Sequence, residues 1–106
     1  MYNISMFFVY VTFPSKREAK KTARVIIDKK LAGCVNIFPI ESIYQWKNKI
    51  IDEKEMVAIF KTTKEKLPIL EKIIKSLHSY EVPCIASIKI SKINKEFQKW
   101  LEGEIK

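Results

Sequence analysis

Glycine and histidine are both scarce in this chain of 106 residues, which contains two glycines and one histidine. With so few glycines, the loops GxGxxG and GxxxxGK[ST] that hold phosphate groups are absent. The GxSxG, HExxH and Ser-His-Asp patterns of common hydrolases are also absent. The single histidine, His78, leaves little room for general acid–base catalysis. We therefore expect that the protein is not an enzyme.

Long hydrophobic runs are also missing. The longest apolar run, residues 6–11, is far shorter than the ~20 residues that a membrane-spanning helix needs. The N-terminus has neither the basic flank nor the small-residue cleavage site of a secretory signal. The two cysteines form no CxxC motif, and two thiols without a secretion signal fit a reducing compartment. The sequence predicts a cytoplasmic protein with no membrane partner.

Arginine occurs only twice among the 20 basic residues, although the net charge is +8. The remaining basic residues are lysines scattered along the chain, mostly beside glutamates. Arginine makes the bidentate base contacts of many nucleic-acid-binding proteins, and the aromatic motif with which RRM domains stack RNA bases is absent. We therefore expect no nucleic-acid partner.

Apolar periodicity and turn residues divide the chain into strands and helices. We predict a strand at 4–13, a helix at about 16–31, strands at 34–46 and 50–62, a helix along the stripe 67–77, a strand at 84–91 and a helix after Asn94. Ser15 and Glu18 form a capping box at the start of the first helix, and Gly33 marks its exit. This β-α-β-β-α-β order with a C-terminal helix is typical of an α+β, ferredoxin-like fold, in one domain spanning 1–106.

The second and third strands are long and joined by a predicted tight turn at 46–49. Pro39 cannot donate a hydrogen bond to a strand ladder, so it indicates an edge strand or a bulge. In the usual strand order of this fold, Cys34 and Cys84 lie on opposite edges, where they cannot form a disulfide within one chain. Long apolar edges are aggregation hazards unless they are covered, and closed symmetric self-association would cover them.

Several residues could bind a metal ion, and each also has an ordinary structural explanation. His78 lies where a helix should end, so it is either a cation at a helix C-terminus or a metal ligand. Cys34 and Cys84 are either small buried thiols or soft ligands for Cu(I) or Zn(II). Acidic residues at 52, 53 and 55 would suit a hard cation, or they simply offset the neighbouring lysines.

Large aromatic residues lie near the ends of the predicted elements: Tyr44, Trp46, Tyr80 and Trp100. Aromatic residues in such places are often anchors of a core or of a subunit interface. They could also form the walls of a small-molecule pocket. The residues alone leave both explanations open.

Five local patterns together resemble one known family, the CutA divalent-cation tolerance proteins. They are VTFP at 11–14, LAGCVN at 31–36, SIYQW at 42–46, Glu55 followed by FKTT at 60–63, and LHSYEVP at 77–83. The resemblance extends over about 6–102, nearly the whole chain. It implies a ferredoxin-like subunit that forms a tight homotrimer through its long hairpin strands, similar to the PII signalling proteins. It also implies a role in tolerance of copper and other divalent metals.

The resemblance also implies candidate metal ligands. Cys34 and His78 match the cysteine and histidine of two family motifs, while Ser79 replaces a proline and Cys84 replaces a glutamate. With Glu55 at the same intersubunit cleft, the expected ligand set for copper or another divalent metal is His78, Cys34, Cys84 and Glu55. Some bacterial members carry a further cysteine in the first strand, where this chain has valine.

The PII likeness supports a second hypothesis. In it, the chain forms a signalling or scaffold trimer whose intersubunit clefts bind a small molecule or an unknown protein partner. The residues expected to line the clefts are Tyr44, Trp46, Lys61 and Tyr80. A ligand that binds only the folded state would raise the stability of the protein, which makes this hypothesis easy to test.

Overall fold

Residues 5–105, which a computed structural model describes, form a four-stranded sheet and three α-helices. The elements are β1 (Met6–Phe13), α1 (Lys16–Asp28), β2 (Cys34–Trp46), β3 (Lys49–Thr63), α2 (Leu67–Leu77), β4 (Ile85–Ile90) and α3 (Lys95–Glu104), with a 3₁₀ turn at Lys64–Lys66 before α2. The predicted element order is therefore confirmed. The predicted first residue of β1, Ile4, lies outside the described residues. Within 5–105, none of the helices has the length and hydrophobicity needed to cross a membrane.

The sheet has the strand order β2-β3-β1-β4, and all of its neighbouring strands are antiparallel. This is the α+β, ferredoxin-like arrangement that the sequence predicts. β1 is central, and β2 with Pro39 is an edge strand, as the proline indicated. Cys34 and Cys84 lie at the two opposite edges, and both thiols are free.

The core lies between one face of the sheet and helices α1 and α2. Alternate residues of the central strands point into it, including Val11 and Phe13 of β1 and Phe60 of β3, all fully buried. Ile26 of α1 and Ile74 of α2 meet them from the helices. Burying each such side chain stabilises the fold by about 1.5–3 kcal/mol.

The opposite sheet face, here called the open face, is covered only in part. α3 packs at the end of this face where β1 begins, and there Leu101 forms a second cluster with Met6 and Ile105. At the other end of the open face, side chains of β2 and β3 stand next to the segment between α2 and β4. This end contains the candidate site.

Helix α1 begins as predicted but ends differently. The Ser15 hydroxyl accepts a hydrogen bond from the Glu18 backbone N–H at 3.2 Å, as in a capping box. The prediction that Gly33 ends the helix is wrong: Lys30, at φ 58°, takes the left-handed position, and Leu31 N–H donates to the Ile26 carbonyl at 3.1 Å. This hydrogen bond closes a Schellman motif three residues before Gly33.

Gly33 instead allows α3 to approach the sheet closely. A Cβ atom at this position would lie 2.4 Å from Cδ1 of Leu101 and 3.3 Å from its carbonyl oxygen. Leu101 is fully buried, so its side chain has little room to move away. Glycine is therefore required here by close packing rather than by backbone conformation.

The hairpin between β2 and β3 extends well beyond the rest of the sheet. Lys47 and Asn48 have φ values of 50° and 65°, which is the two-residue turn type favoured in hairpins. β1 pairs with β3 only from Met56 to Thr63, so residues 49–55 of β3 pair with β2 alone. We call the two-stranded part, residues 40–55, the hairpin ribbon; it contributes to the elongated shape of 52 × 26 × 21 Å.

Candidate functional site

A pocket of about 450 Å³ opens on the open face, where the hairpin ribbon leaves the sheet. Strand alternation directs the side chains of Tyr44, Trp46, Ile51, Glu53 and Glu55 to this face. The segment between α2 and β4 closes the other side with Tyr80, Glu81, Val82 and Cys84, and Thr12 lies at the end of β1. The pocket thus combines aromatic walls with carboxylates.

Two tyrosine–glutamate pairs dominate the polar side of the pocket. The Tyr44 hydroxyl donates to Glu53 Oε1 at 2.5 Å, and the Tyr80 hydroxyl donates to Glu55 Oε2. The hydrogen bond to Glu53 raises the pKa of Tyr44 to about 12. Burial, followed by the hydrogen bond to Glu55, raises the pKa of Tyr80 above its ordinary value. Both phenols therefore stay protonated at neutral pH and act as donors to the two carboxylates.

His78 lies behind the pocket wall, and its side chain is fully buried. Nε2 is 2.6 Å from the Thr12 carbonyl oxygen, and Nδ1 accepts a hydrogen bond from the Tyr80 backbone N–H at 3.1 Å. A carbonyl can only accept, so this network assigns the proton of the neutral ring to Nε2. The ring also stacks on Phe13 with centroids 4.7 Å apart. Both ring nitrogens are thus engaged with the backbone.

Glu18 connects α1 to the same region. Its carboxylate accepts a hydrogen bond from the Ser79 backbone N–H at 3.1 Å, and Oε2 lies 3.7 Å from Nδ1 of His78. In a full capping box this carboxylate would return to the N-terminus of its own helix. Here it fixes the segment after α2, which carries Tyr80 into the pocket.

Cys34 and Lys61 lie at the other end of the open face. They are paired across β2 and β3, six residues along β3 from Glu55, which corresponds to roughly 20 Å. Cys34 packs against the cluster around Leu101. The Lys61 ammonium lies 5.1 Å from the ring centroid of Phe97, close enough for a cation–π contact.

The predicted metal ligands therefore do not converge in one chain. Glu55 and Cys84 line the pocket, His78 is buried behind it and Cys34 lies at the opposite sheet edge. Within residues 5–105, no group of three or more His, Cys, Asp or Glu side chains is arranged to hold a metal ion. The four-residue ligand set stays a prediction, and it would need a second chain or a rearrangement.

The residues predicted to line a ligand cleft lie closer together than the predicted metal ligands do. Tyr44, Trp46 and Tyr80 line the pocket together, whereas Lys61 does not. The sequence analysis placed Glu53 only in a general acidic run. The predicted two-residue turn contained the signal for the Tyr44–Glu53 contact. Because it pairs Trp46 with Lys49, it fixes the register of β2 and β3 and sets Tyr44 diagonal to Glu53.

Fold and pocket together define a ferredoxin-like α+β domain with an acidic, aromatic-lined pocket on its open sheet face. A family model described as CutA1 divalent ion tolerance protein matches residues 7–104. The chain belongs to this family, as its motifs indicated.

Two relatives from an archaeon and a bacterium match this chain over almost their full length. The divalent-cation tolerance protein CutA of Archaeoglobus fulgidus is 43% identical over 98 residues, covering 92% of this chain and 96% of that protein. CutA of Thermotoga maritima is 40% identical over 100 residues, covering 94% and 99%. The solved A. fulgidus structure, described as a periplasmic divalent cation tolerance protein, superimposes with a TM-score of 0.92 at 42% identity, covering 95% of this chain and 99% of that one. CutA1 of Ehrlichia chaffeensis reaches a TM-score of 0.94 at 27% identity, covering 99% of each chain.

Proposed function

We propose that this chain forms a homotrimer that acts in divalent-cation tolerance by binding a divalent metal ion, copper or another, without catalysing a reaction. The observation that carries the proposal is the charge of the pocket. Three carboxylates, Glu53, Glu55 and Glu81, and the Cys84 thiol line it, and none of its ten lining residues is basic. The chain as a whole has a net charge of +8, so this acidic lining is a local exception that favours a cation.

The ligand chemistry of the pocket suits a metal only in part. Carboxylates favour hard divalent ions, whereas a thiolate favours copper or zinc. Glu55 and Cys84 could bind an ion from the pocket wall. His78 could offer Nδ1 only after losing the hydrogen bond from Tyr80 N–H. We therefore place Glu55 and Cys84 before His78 and Cys34 as ligands, with the remaining ligands supplied by the assembly.

The hairpin ribbon supports self-association. Ile43 and Ile50, on the ribbon face that continues the core side of the sheet, are 71% and 78% exposed in the single chain. In addition, residues 49–55 of β3 have no second strand beside them within the described residues. Exposed apolar side chains next to an unpaired strand edge are normally covered by a partner. A closed ring of three copies would cover each ribbon in the same way.

Native mass spectrometry of the reduced protein during a copper titration tests the proposal, because it measures the assembly and the bound ions together. A trimer that takes up a fixed number of ions supports it. A monomer, or uptake without fixed stoichiometry, overturns it. Cys84→Ser should lower the number of tightly bound ions, whereas Cys34→Ser is the matched variant at the opposite sheet edge. The reverse result would move the site to Cys34 and His78.

A second candidate function is a PII-like signalling or scaffold trimer that binds a small molecule or a partner protein. The size of the pocket favours it, because about 450 Å³ is far more than a metal ion occupies and falls in the usual range for small-molecule sites. A thermal-shift screen of metabolites tests it, since a ligand specific for the folded state raises the melting temperature. No shift with any compound would count against this candidate.

We propose the cytoplasm as the working compartment. The fold places Cys34 and Cys84 on opposite sheet edges and uses neither in a disulfide within the chain, and structural disulfides are typical of oxidising compartments. Cell fractionation followed by detection of the protein tests this assignment. Recovery in an extracytoplasmic fraction would contradict it.

A further inference from the structure

The Glu55 carboxylate has one oxygen that faces the pocket and is open to a ligand. The residue is 8% exposed, and its side chain lines the pocket. Oε2 accepts the hydrogen bond from Tyr80, but Oε1 has no hydrogen-bond partner and no ion pair among residues 5–105. Within residues 5–105, every side-chain nitrogen or oxygen that is fully enclosed has a hydrogen-bond partner. Because Oε1 of Glu55 has none, it is not fully enclosed and is exposed to the pocket space. This oxygen is therefore left for water or for a ligand that enters the pocket.

The pocket side chains are better able to accept hydrogen bonds than to donate them. The phenol protons of Tyr44 and Tyr80 are already directed to Glu53 and Glu55. Each carboxylate offers about four lone-pair positions, and its phenol uses only one. An incoming anion would therefore meet carboxylates with no basic side chain to balance them. A ligand with several N–H donors and a positive charge is complementary to this arrangement.

The walls of the pocket offer apolar contacts that an organic cation would use and a bare metal ion would not. The apolar surface comes from Tyr44, Trp46 and Ile51 on the ribbon side and from Tyr80 on the opposite side. Aromatic faces attract ammonium groups, and they also shield the carbon chain of an amine from water. A metal ion would make no use of these walls, and no set of three ligands converges on one point within residues 5–105.

The two carboxylates are spaced for two positive groups. Glu53 and Glu55 are two residues apart on one face of β3, which places their backbones about 7 Å apart. We propose that the pocket binds aliphatic amines, and binds a linear diamine more tightly than a monoamine, with one ammonium group at Glu53 and the other at Glu55. This inference gives the ligand class for the second candidate function and rests on it. It requires no metal ion.

Isothermal titration calorimetry on the full-length protein, freed of metals on a chelating resin and at low salt, tests the inference. The probes are 1,4-diaminobutane, 1-aminobutane and the neutral 1,4-butanediol. We expect the diamine to bind about tenfold or more tightly than the monoamine, because it makes one further charge-assisted hydrogen bond. The diol should give no binding. Equal binding of amine and diol, or no binding of any amine, would overturn the inference.

Two matched variants separate the site from general charge effects. Glu53→Gln removes one carboxylate of the pocket, and the diamine should then bind no better than the monoamine. Asp52→Asn removes the same charge one residue earlier, on the other face of the ribbon, and should leave diamine affinity unchanged. Equal losses in both variants would mean that only the overall charge attracts the amine. Because Glu53 is less buried than Glu55, its variant is the safer one for folding, and a melting curve verifies this.

The outcomes also distinguish this inference from the functions on which it builds. If the amines fail but a metabolite raises the melting temperature, the second candidate function stands with another ligand class. If no compound binds while copper is taken up by a trimer, a basic side chain of a neighbouring copy or the metal itself neutralises Glu55. Either result rejects the amine inference.

Discussion

The backbone N–H of Tyr80 donates a 3.1 Å hydrogen bond to Nδ1 of His78, so the histidine positions the tyrosine that reaches Glu55. The same ring is fixed on its other side, where Nε2 donates to the Thr12 carbonyl at 2.6 Å. His78 therefore connects the end of β1 to the segment that forms one wall of the pocket. Its role in the single chain is to support the pocket through the backbone, and the pocket shape depends on it.

Replacing His78 should destabilise the fold and loosen this wall. His78→Phe keeps a ring that can stack on Phe13 but leaves two backbone groups without partners, which should lower the free energy of unfolding by about 2–5 kcal/mol. His78→Gln, which keeps a donor and an acceptor, should recover part of this loss. Urea unfolding at one fixed protein concentration measures both variants. A His78→Phe protein as stable as the parent would show that the two hydrogen bonds carry little stability.

The Tyr44–Glu53 pair predicts a pH dependence at high pH. Tyr44 has an ordinary pKa of 10.0 and a pKa of about 12 in the folded chain, since Glu53 accepts its proton. Below the lower value both states keep the proton, so stability does not depend on this group. Between the two values the unfolded chain loses the proton first, so the free energy of unfolding should fall as pH rises.

Phenolate absorbance during a pH titration measures this effect, with Tyr44→Phe identifying the signal of Tyr44. In Glu53→Gln the pKa of Tyr44 should move back towards its ordinary value, because the carboxylate that raises it is gone. Asp52→Asn, on the other face of the ribbon, serves as the charge-matched control. If the pKa of Tyr44 is equal in the parent, in Glu53→Gln and in Asp52→Asn, then Glu53 does not raise it.

Local patterns predicted most of the fold because they depend on residues close in sequence. The bounds of β2 were predicted to the residue, since Gly33 and the turn at Lys47 and Asn48 delimit it. The exit of α1 was assigned to the wrong residue, because glycine is the usual left-handed residue and Lys30 took that conformation instead. The real constraint on Gly33 comes from Leu101, which is too distant in sequence for any local pattern to reveal.

The candidate site was harder to predict, because its contacts join separate elements. The aromatic residues Tyr44 and Trp46 were predicted as one group with Tyr80, and all three line the same pocket. The Tyr80–Glu55 hydrogen bond, in contrast, depends on how the segment after α2 folds back. His78 was taken as a candidate ligand because its residue type is the commonest metal ligand. Only the structure reveals that both of its nitrogens are already bound to the backbone.

The two glycines of the chain provide a matched pair of substitutions. Gly33→Ala should lower the free energy of unfolding by about 1–3 kcal/mol, because the added Cβ overlaps Leu101 and displaces α3. An added Cβ at Gly103 meets no atom within 4 Å, and the residue lies in the last turn of α3, so Gly103→Ala should raise stability by at most about 0.5–1 kcal/mol. Thermal and urea unfolding of both variants measure the difference. Equal effects of the two substitutions would mean that α3 does not pack against Gly33 in solution.

The hairpin ribbon gives a test of the assembly that does not touch the pocket. Ile43 and Ile50 lie on the ribbon face opposite the pocket residues and are 71% and 78% exposed, so polar replacements should hardly affect the folding of one chain. If these side chains are buried between copies, Ile43→Ser with Ile50→Ser should shift the assembly towards the monomer by removing apolar contact area. Ile69→Ser, at a 49% exposed position on α2, is the matched control. Size-exclusion chromatography with light scattering measures the mass; an unchanged trimer in the double variant would place the subunit contacts elsewhere on the chain.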